Sequence, residues 1–283
     1  MRIPGLSFEI FTGKYRGKGF FLLGTIIVAA VIIMAILAPL IAPYNPIART
    51  GEKFSPPSKK HIMGTNHLGE DIFSRIVYGS RIILFVVFTA TIISMSLGIP
   101  LGIFSGYSGG KIDRILSIVM DSIYAFPALV LAIAIAAVLG PSPFNTALSL
   151  AVVYIPTYYR MTRSQTLSLK SQLFIEAARG MGCSDSYIMR KHILPNLLPT
   201  ILVVLTLSVA DSILTEAGLS YLGLSVTPPT PDWGFDLRMG QSFMTIGYWW
   251  PSVFPGLMVM LLSSGFAFIG EGLSEKISLR VER

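Results

Sequence analysis

The chain has 283 residues, of which 52 % are hydrophobic and only 13 % charged. A soluble globular domain carries about 25 % charge, so the composition excludes that class and points to a polytopic membrane protein. The net charge of +7 does not call for a nucleic acid, because basic residues flanking membrane spans give the same sum; the single Cys183 excludes an intramolecular disulfide and a cysteine metal cluster.

In chain order, Arg2, Lys14, Arg16 and Lys18 stand against Glu9 in a basic lead-in. Phe20 to Ala42 then gives about 23 uncharged residues. That exceeds the core of a cleaved signal, about 7–15 residues, and predicts an uncleaved first span with the N-terminus in the cytoplasm. Residues 43–80 form a polar connection with Pro43, Pro46, Pro56 and Pro57. Its His61, His67, Glu70 and Asp71 have no familiar metal spacing and read as a solvated loop or interfacial helix.

Ile82 to Phe104 predicts the second span, with Gly98 and Gly102 spaced for close helix packing. Gly106-Tyr107-Ser108-Gly109-Gly110 has the outward form of a nucleophile elbow. That motif needs a strand–turn–helix context and partner residues, and here it joins two apolar helices, so it reads as a glycine turn. A third span runs from about Ile115 to Leu139 and carries Asp121 and Pro127. Gly140-Pro141-Ser142-Pro143 breaks the apolar stretch, and the fourth span follows from about Thr146 to Tyr159.

Between the fourth and fifth spans lies the longest charged, helix-compatible segment, Glu176 to Pro199. Gly180 and Gly182 break it, Ser184 or Asp185 is placed to N-cap a second short helix, Pro195 to end that helix, and Asn196 to cap the next. Ala177, Ala178, Gly180 and Gly182 leave little side-chain bulk, so another protein surface can approach this backbone closely. The fifth span is predicted from about Pro199 to Leu224, with Asp211 and Glu216 inside it. An external connection over 225–246 and a sixth span from about Gly247 to Ile269 follow, with Tyr248, Trp249 and Trp250 placed as an interfacial aromatic belt.

The fold class is therefore an all-α membrane protein with six transmembrane helices. Its expected divisions are a cytoplasmic segment 1–19, a first helix and external connection 20–78, a core 79–272 with the charged loop at 170–198, and a cytoplasmic tail 273–283. Six crossings put 15 Lys and Arg on the side of both termini and that loop, and 7 on the other. The excess predicts a cytoplasmic loop and cytoplasmic termini, although the first external connection is itself basic. A charge at the bilayer centre costs about 2.5–3.5 kcal/mol on insertion scales, so Asp121, Asp211 and Glu216 are expected to face a solute path, an interhelical hydrogen bond or a second subunit.

Four segments carry a resemblance. Glu176-Ala177-Ala178, three residues, Gly182 and a distal Leu194-Pro195 resemble the EAA loop of ABC-importer permeases. His192 departs from the general pattern, and His192-Ile193-Leu194-Pro195 resembles the peptide-transporter branch. Residues 64–75 resemble G-T-D-x-L-G-R-D-x-x-S-R, with Asn66 and Glu70 as departures. Residues 216–224 and the Pro228-Pro229-Thr230-Pro231-Asp232-Trp233-Gly234 loop complete the set. Together they are similar to the C-type permease of dipeptide/oligopeptide (nickel) importers.

That resemblance implies a heterodimer with a homologous B-type permease, two cytoplasmic ABC ATPases and an external solute-binding protein. It makes Glu176, Ala177, Ala178, Arg179, Gly182, Ser184, Asp185, Leu194 and Pro195 the ATPase-coupling loop. The chain itself has no phosphate-cradling G-x-x-x-x-G-K-[ST], so ATP and magnesium are expected only in the partner ATPases, and the chain is not expected to be an enzyme. The rival classes are a stand-alone secondary transporter or channel, which calls for an inverted repeat or an ionisable relay, and a hydrolase resting on Ser108, which lacks a partnered base. No residue selects among dipeptide, oligopeptide, nickel chelate and oligosaccharide as cargo.

Overall fold

The structure is a computed structural model that describes residues 17–281, with side chains described to Ile277. The basic lead-in at Arg2, Lys14 and Arg16 lies outside the described residues. The chain is all-helical among the described residues: α1 (Lys18–Ile36), α2 (Ala38–Ile41), α3 (Ile72–Ser108), α4 (Gly110–Tyr124), α5 (Ala128–Leu139), α6 (Pro143–Lys170), α7 (Leu173–Gly180), α8 (Asp185–Ile188), α9 (Leu194–Tyr221), α10 (Trp233–Met244) and α11 (Trp250–Val281). Helix α11 runs through residue 272 without a break.

Among the described residues, four helical stretches are long and apolar enough to cross a membrane: Lys18–Ile36, Ile72–Ser108, Asp185–Tyr221 and Trp250–Ile277. The predicted third span is not one helix. It is broken into α4 and α5, which meet at 88°. Pro127 lacks an N–H and disfavours helix at Phe126, which is where the axis turns. Helix α6, 28 residues long, is not among the four. Its apolar half is diluted by Tyr154, Pro156, Thr157, Tyr158 and Tyr159, and Arg160, Arg163 and Lys170 follow.

Pro195 does not end a helix. A π-helical turn, Met189–Ile193, leads directly into α9, with Pro195 in its first turn, where a missing N–H costs little. Asn196 accordingly caps nothing, and its Nδ2 donates back to the His192 carbonyl at 2.6 Å.

The core is built on α3 against α6. A Cβ at Gly98 would lie 2.7 Å from the Ile155 carbonyl oxygen, and one at Gly106 would lie 2.8 Å from that of Arg163, so the glycines let the two backbones touch. Ser94 Oγ donates across this interface to the Ala151 carbonyl at 3.1 Å. Around the pair sit three apolar clusters. One joins α1, α3, α9 and α11 through Val28, Ile83, Val209 and Leu262. A second joins α3, α5 and α6 through Val86, Ala132 and Leu150. The third closes the end of the bundle that carries the charged loop, with Ile103, Ile175, Ile188, Ile193 and Leu197.

The 43–71 connection is not a solvated loop. His61, Thr65, Glu70 and Asp71 are buried, and two isolated antiparallel bridges, Arg49 with Glu70 and Thr65 with Asp71, fold it back on itself. Nor do the three aromatics at the start of α11 form a belt. Trp250 is buried and donates to the Thr65 carbonyl at 3.1 Å, Tyr248 stacks on Phe54, and only Trp249 is exposed.

Candidate functional site

The charged loop is two short helices closed by a glycine. At the end of α7 the Cys183 N–H donates to the Ala178 carbonyl at 3.1 Å and the Gly182 N–H to that of Arg179 at 2.9 Å. These are the paired bonds of a Schellman stop, with Gly182 in the left-handed region at φ +81°. Ser184 then N-caps α8, accepting from the Tyr187 N–H at 3.4 Å. Asp185, the other sequence candidate for that cap, is the first residue of α8 instead.

This geometry sorts the loop into two faces. Ile175 and Ala178 are buried with Ile188 and Ile193, and Cys183, Leu194 and Met189 pack against them. Leu173 (81 % exposed), Glu176, Ala177 and Met181 (77 % exposed) face outward. Of the four small residues, Ala178 serves the chain's own packing, whereas Ala177, Gly180 and Gly182 are open to approach. Pro195 is half-buried at the exit.

The loop is fixed to the core by a residue that the motif did not single out. Tyr107, near the end of α3, donates its hydroxyl to Asp185 Oδ1 at 2.7 Å and accepts from Arg179 Nε at 3.2 Å. The sequence signal was present in the glycine turn at 106–110, which reads as a connection only.

The three carboxylates are held by different partners. Asp121 is exposed on α4, 3.7 Å from Arg160 Nε. Asp211 is exposed on α9 and accepts from the Tyr154 hydroxyl at 2.6 Å. Glu216 is fully buried, its Oε1 accepting from Ser225 Oγ at 2.9 Å, so this chain's own residues enclose it.

A second cluster brings together two segments of the resemblance. Arg75 of α3 donates to both oxygens of Asp236 on α10 at 2.7–3.1 Å. It also donates to Glu70 Oε2 at 2.9 Å and to the carbonyls of Pro46 and Pro229. Asp71 N-caps α3 through Ser74 N at 2.8 Å and pairs with His61 Nδ1 at 2.9 Å. His61 and Glu70, which share a stretch of sequence, thus belong to separate pairs. Trp233 Nε1 donates to the Ile76 carbonyl at 2.9 Å, and Asp232, which also accepts from Ser220 Oγ, N-caps α10. Burial pushes the Asp232 carboxyl up, against those hydrogen bonds. Ser108 sits at the exposed end of α3, with Gly109 and Gly110 both at positive φ, and has no strand beside it.

Residues 98–279 match the family described as the binding-protein-dependent transport system inner membrane component, and residues 14–57 match the N-terminal TM domain of oligopeptide transport permease C. The chain belongs to this inner-membrane permease family. As such a permease it is a transport subunit of an ABC importer and not an enzyme. It is 39 % identical to the dipeptide transport system permease protein DppC of Alkalihalophilus pseudofirmus, over 92 % of this chain and 86 % of that one. Its identity to the DppC of Haemophilus influenzae is 35 %, over 100 % and 97 %. The probable D,D-dipeptide transport system permease protein DdpC of Escherichia coli is 34 % identical, over 92 % and 87 %. Among solved structures, a chain of the MetNI methionine ABC transporter superposes with a TM-score of 0.59 at 21 % identity, covering 74 % of this permease and 97 % of that chain. That likeness fixes the fold, and the charged loop of the permease lies within the matched family region.

Proposed function

We propose that this permease forms one half of a solute pathway for peptides or related small molecules, driven by ATPases that dock on the 170–198 loop. The observation that carries the reading is the two-faced α7. Ile175 and Ala178 anchor it, while Leu173, Glu176, Ala177 and Met181 present an outward face closed by Gly182. Such a face, apolar at two exposed positions and low in bulk between them, suits a groove on another protein. The other half of the pathway is a homologous B-type permease, two cytoplasmic ATPases bind ATP and magnesium, and an external solute-binding protein delivers cargo. ATP closes the ATPase pair, displaces the loops and rocks the spans between inward- and outward-open states.

In this reading the chain makes six crossings, with the broken α4–α5 pair as the third and α6 as the fourth. Both termini and the coupling loop are cytoplasmic, which the 15-to-7 distribution of Lys and Arg supports. Asp121 and Asp211, exposed on α4 and α9, face the pathway or the partner permease. The peptide assignment of cargo follows the names of the relatives.

The test is purification from mild detergent with the ATPases coexpressed. ATPases that accompany the chain, and are lost with Glu176→Lys or Gly182→Trp while the chain still inserts, support the assignment. A chain that purifies alone and moves solute into liposomes without ATP is a stand-alone transporter, and the assignment fails.

A further inference from the structure

Tyr107 gathers three separate parts of the coupling loop onto one residue of the core. Arg179 comes from α7 and Asp185 from α8, both at its hydroxyl. Lys170, the last residue of α6 and the first of the loop, donates to the Tyr107 carbonyl oxygen at 2.5 Å. Arg179 and Lys170 also lie over the ring, at 5.0 and 5.5 Å from its centroid. Tyr107 is buried in one apolar cluster with Ile175, Ala178 and Ile188. Apolar packing holds the loop against the core but is non-directional. Hydrogen bonds to charged partners are directional and about twice as strong as neutral ones, so they fix the loop's angle as well as its contact.

The turn that carries Tyr107 is itself clamped. Gly109 and Gly110, at φ +68° and +64°, lead into α4, where Asp113 receives Arg163 Nε and Nη2 at 2.5 and 2.7 Å and Ser105 Oγ at 2.5 Å. A push on the loop therefore reaches a rigid corner between α3, α4 and α6. Helix α3 is 37 residues long, so at 1.5 Å per residue it extends about 55 Å. Its far end is the Asp71–Arg75 cluster.

We propose that Tyr107 is the positioning residue that makes the coupling loop and the α3–α4 corner move as one body, so that displacement of the loop is delivered along α3 to the Arg75 cluster. This rests on the ATPase-coupling role proposed above.

The experiment places spin labels at Ser186→Cys on α8 and Lys111→Cys on α4, both exposed sites off the docking face of α7, in a Cys183→Ser background. The full complex with its ATPases is held in nanodiscs, and the inter-label distance is measured without nucleotide and after trapping with ATP and vanadate. With Tyr107 intact the distribution is expected to stay narrow and keep its mean in both states. Tyr107→Phe keeps the packed ring but removes both hydroxyl bonds, and is expected to broaden or shift the distribution on trapping. Asp185→Ala, which leaves Tyr107 in place, is expected to do the same and stands in should Tyr107→Phe not fold. A narrow, unmoved distribution in either folded variant overturns the proposal, as does a wild-type distance that changes on trapping. If the ATPases do not bind the unaltered chain, the coupling assignment itself fails and takes this one with it. If they bind and only the variant distances stay put, the role of Tyr107 alone fails.

Discussion

Asn66 Nδ2 donates to Glu70 Oε2 at 2.6 Å, and these are the two positions at which residues 64–75 depart from the pattern they resemble. The same Glu70 oxygen accepts from Arg75 at 2.9 Å, so the carboxylate is shared between an amide and a guanidinium. The pattern's Asp and Arg at these positions reverse donor and acceptor, with the carboxylate at 66 and the cation at 70. Glu70→Arg alone sets a second cation against Arg75, and Asn66→Asp alone sets two carboxylates face to face. Each is expected to destabilise the purified chain by about 3 kcal/mol, the scale of a broken buried ion pair. The double variant is expected to lose less than the sum of the two single losses, by a coupling of about 1–3 kcal/mol. Thermal unfolding of the four proteins in detergent measures it, and additive losses reject the pairing.

Arg75 ties the 43–71 connection, α3 and α10 into one unit. Its side chain is 5 % exposed, and its partners Glu70 and Asp236 are 7 % and 12 % exposed. Replacing it with Met leaves two carboxylates buried without a cation, a loss of about 3–5 kcal/mol. Arg75→Lys keeps the charge but not the two-pronged contact with Asp236, and is expected to fall between wild type and Met. Equal midpoints for Arg75→Lys and wild type would show that charge alone suffices.

Burial pushes the Asp236 carboxyl up to about 6, against the pull of Arg75 and with Asp232 and Glu70 adding to the rise. A carboxyl raised in the folded state holds more protons folded than unfolded between its ordinary value of 3.8 and about 6. Stability from this group therefore rises as pH falls through 6 and is fully gained near the ordinary value. The thermal midpoint of wild type is expected to gain more, or lose less, than that of Asp236→Asn between pH 7.5 and 5.5. Parallel responses of the two proteins would place the carboxyl at its ordinary value.

Gly98 is a steric requirement. A Cβ there meets the Ile155 carbonyl oxygen at 2.7 Å and Tyr158 Cβ at 2.8 Å, both on α6. Gly98→Ala is expected to force α3 and α6 apart at a cost of about 1–3 kcal/mol, read as a lower midpoint and a lower yield of monodisperse chain. A wild-type midpoint for Gly98→Ala would mean that the two helices do not approach as closely as the backbone geometry requires.

The spans rich in Ile, Leu and Val were legible because uncharged length is a direct signal, and so was the Gly98–Gly102 packing face. Three features were not. Pro127 inside an apolar run reads as a tolerated residue, yet it turns the chain by 88°, because whether a neighbour supports a straight helix is a tertiary matter. Pro195 reads as a stop, and a π-helical turn absorbs it instead. Trp233, Trp250 and Arg75 lie far apart in sequence, so no local pattern indicates that they join one buried unit around Thr65, Ile76 and Asp236. For the charged loop, the glycine bend and a cap at Ser184 or Asp185 followed from residue type, whereas the anchoring of the loop by Tyr107 depends on a contact across 78 residues.

Gly182 is a backbone requirement, and this sets it apart from Gly98. Its φ of +81° lies in the left-handed region, and a Cβ built on it meets nothing within 4 Å. The cost of a side chain here is therefore conformational, about 1–2 kcal/mol for an ordinary L-residue and less for Asn, which tolerates that region. Loss of the bend releases the Cys183–Ala178 and Gly182–Arg179 bonds and with them the angle between α7 and α8. Retention of ATPases on the purified chain is expected to rank Gly first, then Asn, then Ala, with Val last, while the thermal midpoint of the spans stays near wild type throughout. Ranking by side-chain size, with Asn below Ala, would mean that the partner surface and not the backbone sets the requirement at this position.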